Sequence, residues 1–217
     1  MQTNTPTSRY IITNEVFNAI THGLGVLLSL VGMSLLMLKG VALHSTVYIV
    51  SYAIYGTTMF LLFLCSTLFH SFIFTRAKKV FQVFDHDSIY LLIAGSYTPF
   101  CLLSIKGWLG WSLFTVIWLL AIIGIVYKSL TLRHTHKISN ISTLIYIIMG
   151  WLCLIAIKPL YDALSIEGVA LLAGGGVAYT IGAFFYSLAK IRYMHVVWHF
   201  FVLLGAFLMF LSVYWYT

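Results

Sequence analysis

Seven apolar runs of membrane length, joined by short polar loops, constrain this chain more than any other feature of it. A helix needs about 20 consecutive, mostly apolar residues to cross a hydrocarbon core of about 30 Å. The runs fall at roughly 17–38, 45–72, 83–104, 108–127, 140–158, 168–189 and 194–216. In lipid each backbone polar group has to find its partner within the chain, so runs of this length predict helices. The expected fold is an all-α integral membrane protein with seven transmembrane helices. It forms one domain over 17–217, behind a short polar tail at 1–16. Only 8% of the residues are charged and 61% are hydrophobic, where water-soluble domains carry about 25% charged residues. No compact apolar core with a small-residue cleavage site opens the chain, so no cleaved signal peptide is expected. Cys65, Cys101 and Cys153 all lie inside apolar runs and form no metal-type pair or disulfide framework.

The net charge of +7 is spread over short loops between the runs. That pattern belongs to topology determinants and to a face lying on anionic lipid, not to a nucleic-acid site. With the N-terminus inside, Arg9, Arg76, Lys78, Lys79, Lys128, Arg133, Lys137, Lys190 and Arg192 face the cytoplasm. Only Lys39, Lys106 and Lys158 face outward. This asymmetry predicts a cytoplasmic N-terminus and an external C-terminus. Trp108 with Trp111, and Tyr214, Trp215 and Tyr216, then make aromatic anchors at the outer interface. Pro99 is expected to kink the third helix, and Gly174, Gly175 and Gly176 to let a neighbouring helix approach the sixth.

That topology carries the ionisable residues to one depth. His70 comes near the cytoplasmic end of the second helix, and Asp85 in the first turns of the third. His195 and His199 open the seventh helix, and Glu15, Asn18 and His22 open the first. Four helices thus bring Glu, Asp and His together just inside the cytoplasmic interface, where an unpartnered ionisable group is costly. No charged residue or histidine sits at the middle of any run. His195-x3-His199 places two imidazoles on one helix face, Ser66-x3-His70 has the same spacing, and Glu15, Asn18 and His22 form a stripe. Three neutral imidazoles with an open position make a catalytic zinc site. A dication so deep needs compensating charge, which Asp85 or Glu15 can supply. Elsewhere, His134 and His136 read as solvated loop residues, and His44 as an outer interface residue. His86 and Asp87 point to other faces of their helix than Asp85.

Three patterns, Glu15-x2-Asn18-x3-His22, Ser66-x3-His70 followed by Asp85 in FDHDSIYLLIAGSYTP, and His195-x3-His199, resemble those of the bacterial hemolysin III family. That family belongs to the progestin and adipoQ receptor group, and the likeness runs over essentially the whole chain. The resemblance implies a seven-helix protein of the bacterial inner membrane that binds zinc through His70, His195 and His199. It also implies that Asp85 contacts the zinc-bound water and that Ser66 lies close by. Glu15, Asn18 and His22 are expected around the metal ligands. Related alkaline ceramidases hydrolyse a lipid amide with a similar constellation, so a lipid amide or ester is the expected substrate and membrane lipids the expected partners. The function expected is a zinc-dependent membrane hydrolase. A non-enzymatic regulator or receptor with structural zinc is the alternative, ahead of a transporter or pore, whose binding groups usually lie near the midplane. Ser66 has two readings, a hydroxyl donating to an oxyanion or one bonded to its own helix carbonyl.

Reporter fusions test the topology. A reporter active only in the cytoplasm is expected to work at the N-terminus, and one active only outside at the C-terminus. An internal C-terminus overturns the count of seven spans.

Overall fold

The computed structural model describes residues 8–135, 140–188 and 191–217. These form seven α-helices and, among the described residues, no strand: α1 Ser8–Ala42, α2 Thr46–Ser71, α3 Lys78–Pro99, α4 Gly107–Thr135, α5 Asn140–Trp151, α6 Ile157–Ser187 and α7 Met194–Tyr216. The protein is an all-helical, multi-pass membrane protein. α1 reaches back to Ser8, so residues 8–16 are helical where a polar tail was expected. That early start brings Glu15 onto the helix face shared with Asn18 and His22. The expectation that His134 and His136 are solvated lies outside the described residues, except that the backbone of His134 belongs to α4.

By length and composition six helices can cross a membrane, because Ile141–Ser187 counts as a single run of 47 residues. Straight, such a helix would measure about 70 Å, more than twice the hydrocarbon thickness. It is not straight. Leu152–Ala156 tightens into a 3-10 turn, and Ser165 has φ 60° and ψ 176°, well outside helical values. Trp151 Nε1 donates to Thr180 Oγ1 at 3.0 Å, so segments nearly equidistant from Ser165 lie side by side. The expected seven spans correspond to dividing this run at Ser165.

Two irregular segments show how the chain satisfies its backbone without water. Pro99, expected to kink its helix, keeps φ −63° and ψ −40°, and the chain continues into a π-helical turn over Phe100–Ile105. A proline cannot donate to the i−4 carbonyl and crowds it, and a wider turn relieves that crowding. The break after α5 is bridged by Tyr97 of α3, whose hydroxyl lies 2.8 Å from the carbonyls of Met149 and Gly150 and accepts the Cys153 N–H at 2.7 Å.

The tightest packing brings α1 to α2, α2 to α3 and α6 to α7, with α1 also touching α7. Outward faces such as Leu27, Val31 and Leu38 of α1 are exposed and apolar, as lipid-facing residues are. Trp108, Trp111 and Trp215 are exposed, whereas Tyr216 packs against Gly168. Of the three adjacent glycines, Gly175 makes the closest approach: a Cβ there would stand 2.9 Å from Met209 Cγ and 3.2 Å from the Gly205 carbonyl on α7. Gly95 does the same between α3 and α2, where a Cβ would meet Thr58 Oγ1 and lie 2.8 Å from its Cβ.

Gly95→Leu is therefore expected to cost about 1–3 kcal/mol by overpacking. Gly150→Ala, at a site with nothing within 4 Å of the added carbon, should leave stability unchanged. Thermal unfolding in detergent compares the two, and equal midpoints would contradict the α2–α3 packing described here.

Candidate metal centre and cavity

His70 lies in the last turn of α2, while Tyr193, in the left-handed conformation at φ 63°, turns the chain into α7 so that His195 and His199 occupy its first two turns. One ligand atom from each of these three histidines falls within 4.8 Å of the others, a group able to hold a metal ion. Nε2 of His195 is 3.3 Å from Nε2 of His70. The rings of His70 and His199 stand edge to face at 4.9 Å, and those of His195 and His199 are 4.8 Å apart, as one helical turn on a shared face dictates.

α1 supplies the acceptors that orient the rings. The Glu15 carboxylate accepts the Nδ1–H of His70 at 2.5 Å. Nδ1 of His199 donates to the carbonyl of Asn18 at 3.2 Å and lies 3.2 Å from the Thr21 hydroxyl. With the proton on Nδ1, Nε2 of each ring carries the lone pair that a metal requires. Among the described residues His199 Nε2 is buried without a hydrogen-bond partner, an arrangement that is costly unless the nitrogen has another ligand. His22 stacks on His199 with ring centroids 3.6 Å apart and planes within 8°. Trp198 lies beside the group, 4.9 Å from His195 and 5.0 Å from His199.

The stripe Glu15, Asn18, His22 thus reaches His70 and His199, but not wholly through side chains. Asn18 acts through its backbone carbonyl, while its amide oxygen and nitrogen have no partner among the described residues. Thr21 was not singled out from the sequence, although its place three residues after Asn18 puts it on the same stripe.

The group opens on a cavity of about 170 Å³, on a scale where a single water needs about 10–15 Å³. Ser66, Asp85 and His195 line it, as do Leu92, Ile93, Ile147, Val202 and Met209. Asp85 is buried and is not one of the three clustered ligands; its Oδ2 lies 3.8 Å from His86 Nδ1. Ser66 Oγ is buried and has no hydrogen-bond partner among the described residues. This contrasts with Thr67 and Ser71 of the same helix, whose hydroxyls bond the carbonyls four residues back. Of the two readings of Ser66, the bond to its own helix is not made.

His86 also lines the cavity, with Nδ1 donating to the Gln82 carbonyl at 2.7 Å, whereas Asp87 turns to α4 and accepts the Ser129 hydroxyl. His44, between α1 and α2, is exposed.

The sequence profile of the family described as "Haemolysin-III related" matches residues 10–210, a stretch containing every residue of this centre. The chain is 45% identical over 206 residues to "Hemolysin-3" of Bacillus cereus, covering 95% of this chain and 93% of that protein. It is 44% identical to the "Hemolysin-3 homolog" of Bacillus subtilis (strain 168), covering 95% and 96% respectively. A human protein, "Monocyte to macrophage differentiation factor", is 31% identical over 159 residues, covering 70% of this chain and 64% of its own.

Purified protein is expected to carry about one divalent metal ion per chain, as a single mononuclear site does. The double variant His195→Ala/His199→Ala should lose it. Glu15→Gln, which weakens the acceptor behind His70, should lower affinity by about 10–100-fold. Elemental analysis and chelator competition read both, and full retention in the double variant overturns the assignment.

Proposed function

The chain belongs to the Haemolysin-III related family, and from that premise we propose that it is a zinc-dependent hydrolase that cleaves an amide or ester bond of a membrane lipid at the cytoplasmic side. The observation that carries this reading is the joining of a three-histidine group to an apolar cavity that also holds a buried carboxylate and a hydroxyl with no partner. Zinc suits the donors. With Zn–N distances of about 2.0–2.1 Å, two ligands of a tetrahedral ion stand about 3.3–3.4 Å apart, and the Nε2 atoms of His70 and His195 are 3.3 Å apart. Structural zinc sites are usually closed by four protein ligands; three histidines with Asp85 outside the group favour an open position.

Zinc, when bound, would supply Lewis acidity and bring the pKa of a coordinated water to about 7. The remaining work falls to the chain. Asp85 orients the attacking water and accepts its proton as the new C–O bond forms, then returns that proton to the departing amine or alcohol as the acyl bond breaks. Ser66 donates its hydrogen bond to the carbonyl oxygen as charge develops there. Leu92, Ile93, Ile147, Val202 and Met209 hold the acyl chain away from water.

Asp85→Asn is expected to keep its metal and lose turnover by about 10²–10⁴-fold, because an amide cannot take the proton. Ser66→Ala should slow turnover by about 10²-fold, the cost of one oxyanion donor. Fatty-acid release from amide and ester lipids in liposomes measures both. Hydrolysis by Asp85→Asn at the wild-type rate would refute the mechanism. Metal-loaded protein inactive on every lipid of a broad panel would favour a regulator in which the metal is structural.

A further inference from the structure

Lys128 is a cation with no role in the chemistry above, yet it is only 2% exposed and forms part of the wall of the same cavity. It sits near the end of α4, and its Nζ donates to Ser142 Oγ of α5 at 3.0 Å. An ammonium group has three N–H donors, and among the described residues Ser142 is the one acceptor it has. No described carboxylate lies within ion-pair distance of it. Asp87 on α3 attracts the ammonium across the gap but stays beyond ion-pair distance: its Oδ2 accepts the Ser129 hydroxyl, and Oδ1 has no hydrogen-bond partner among the described residues. Asp85, the acidic residue in the cavity wall, lies beside His86 and not within ion-pair distance of the lysine. A buried cation with no carboxylate in ion-pair contact is costly, and one facing a ligand cavity can be relieved by what the cavity binds.

We propose that Lys128, with Ser142 beside it, forms an oxyanion subsite, so that the cavity's ligand is an amphiphile with a carboxylate or phosphate group on an apolar chain. The walls divide accordingly. Lys128, Ser142 and Thr143 present one cation and two hydroxyls, while Ile93, Ile147, Trp151, Val202 and Met209 present apolar surface for the chain. A point charge on a flexible stem, paired with a hydroxyl, recognises an oxyanion without demanding the planar fork that arginine requires. The inference rests on reading the cavity as a lipid site and is independent of whether hydrolysis occurs there.

The test is binding of laurate, lauryl phosphate and lauryl alcohol, three probes with the same chain, to metal-loaded protein in a non-ionic detergent. Wild type is expected to bind at least one of the anionic probes about tenfold or more tighter than the alcohol, as a charge-assisted hydrogen bond implies. Lys128→Met should erase that preference while leaving alcohol binding unchanged, and Lys128→Arg should restore most of it. The tighter anionic probe identifies the source, a fatty carboxylate or a lipid phosphate. Equal binding of all three probes by wild type overturns the subsite, a result that stands even if Lys128→Met fails to fold. A Lys128→Met variant that weakens all three alike overturns it too, since that is the mark of a lysine that merely balances Asp87. If no probe binds, the lipid reading of the cavity falls together with the subsite, whereas selective binding without turnover leaves the subsite standing and removes the hydrolase.

Discussion

The contact between Glu15 and His70 supports the rest of the centre. A carboxylate at the edge of a hydrocarbon layer is tolerated when it has a hydrogen-bonded partner, and here that partner is the Nδ1–H of a histidine from another helix. The one bond therefore does three things. It gives an otherwise isolated carboxylate a mate, fixes the tautomer that leaves the His70 Nε2 lone pair toward His195, and sets the rotation of α1 against α2. With α1 so fixed, the Asn18 carbonyl, Thr21 and His22 fall against His199. The centre is thus oriented by a helix that contributes none of the three clustered ligands.

Much of this arrangement could be read from residue spacing. The runs of apolar residues are long enough that lipid leaves helix as the available conformation, and i, i+4 spacing compels His195 and His199 onto one face. Convergence of His70 with that pair follows once antiparallel helices return each group to the same end. Less legible were features decided by tertiary packing. Asn18 attracts attention through its amide, yet acts through a carbonyl that every residue possesses. Lys128 looks like a loop-end topology charge, and its burial depends on where α5 lies. The break after α5 is flanked by Gly150 and Pro159, which mark an interruption but not its form; it is stabilised by Tyr97, more than fifty residues earlier in the chain. The Pro99 signal was plain, but a proline announces only that a bond is missing, and the neighbouring helices decide whether the chain bends or widens.

Along α2, hydroxyl groups separate by what they are bonded to. Thr58, Thr67 and Ser71 of α2 return their protons to their own helix, which is the usual way to bring a hydroxyl into an apolar layer. Ser66 does not, although the same backbone geometry is open to it. A buried hydroxyl that forgoes the local bond has its donor free within the wall of the cavity, on the helix that also carries His70.

The two imidazole nitrogens that stand 3.3 Å apart belong to residues separated by 125 positions, on the second helix and the last. A chain emerging from the ribosome holds Glu15 and His70 long before it holds His195, so for most of its synthesis the centre has one of its three clustered donors. Only when α7 has entered the bundle and met α1 do the donors assemble. Ion capture at this place would then be the closing event of biogenesis, fastening the end of the polypeptide to its beginning and withholding reactivity from every unfinished chain.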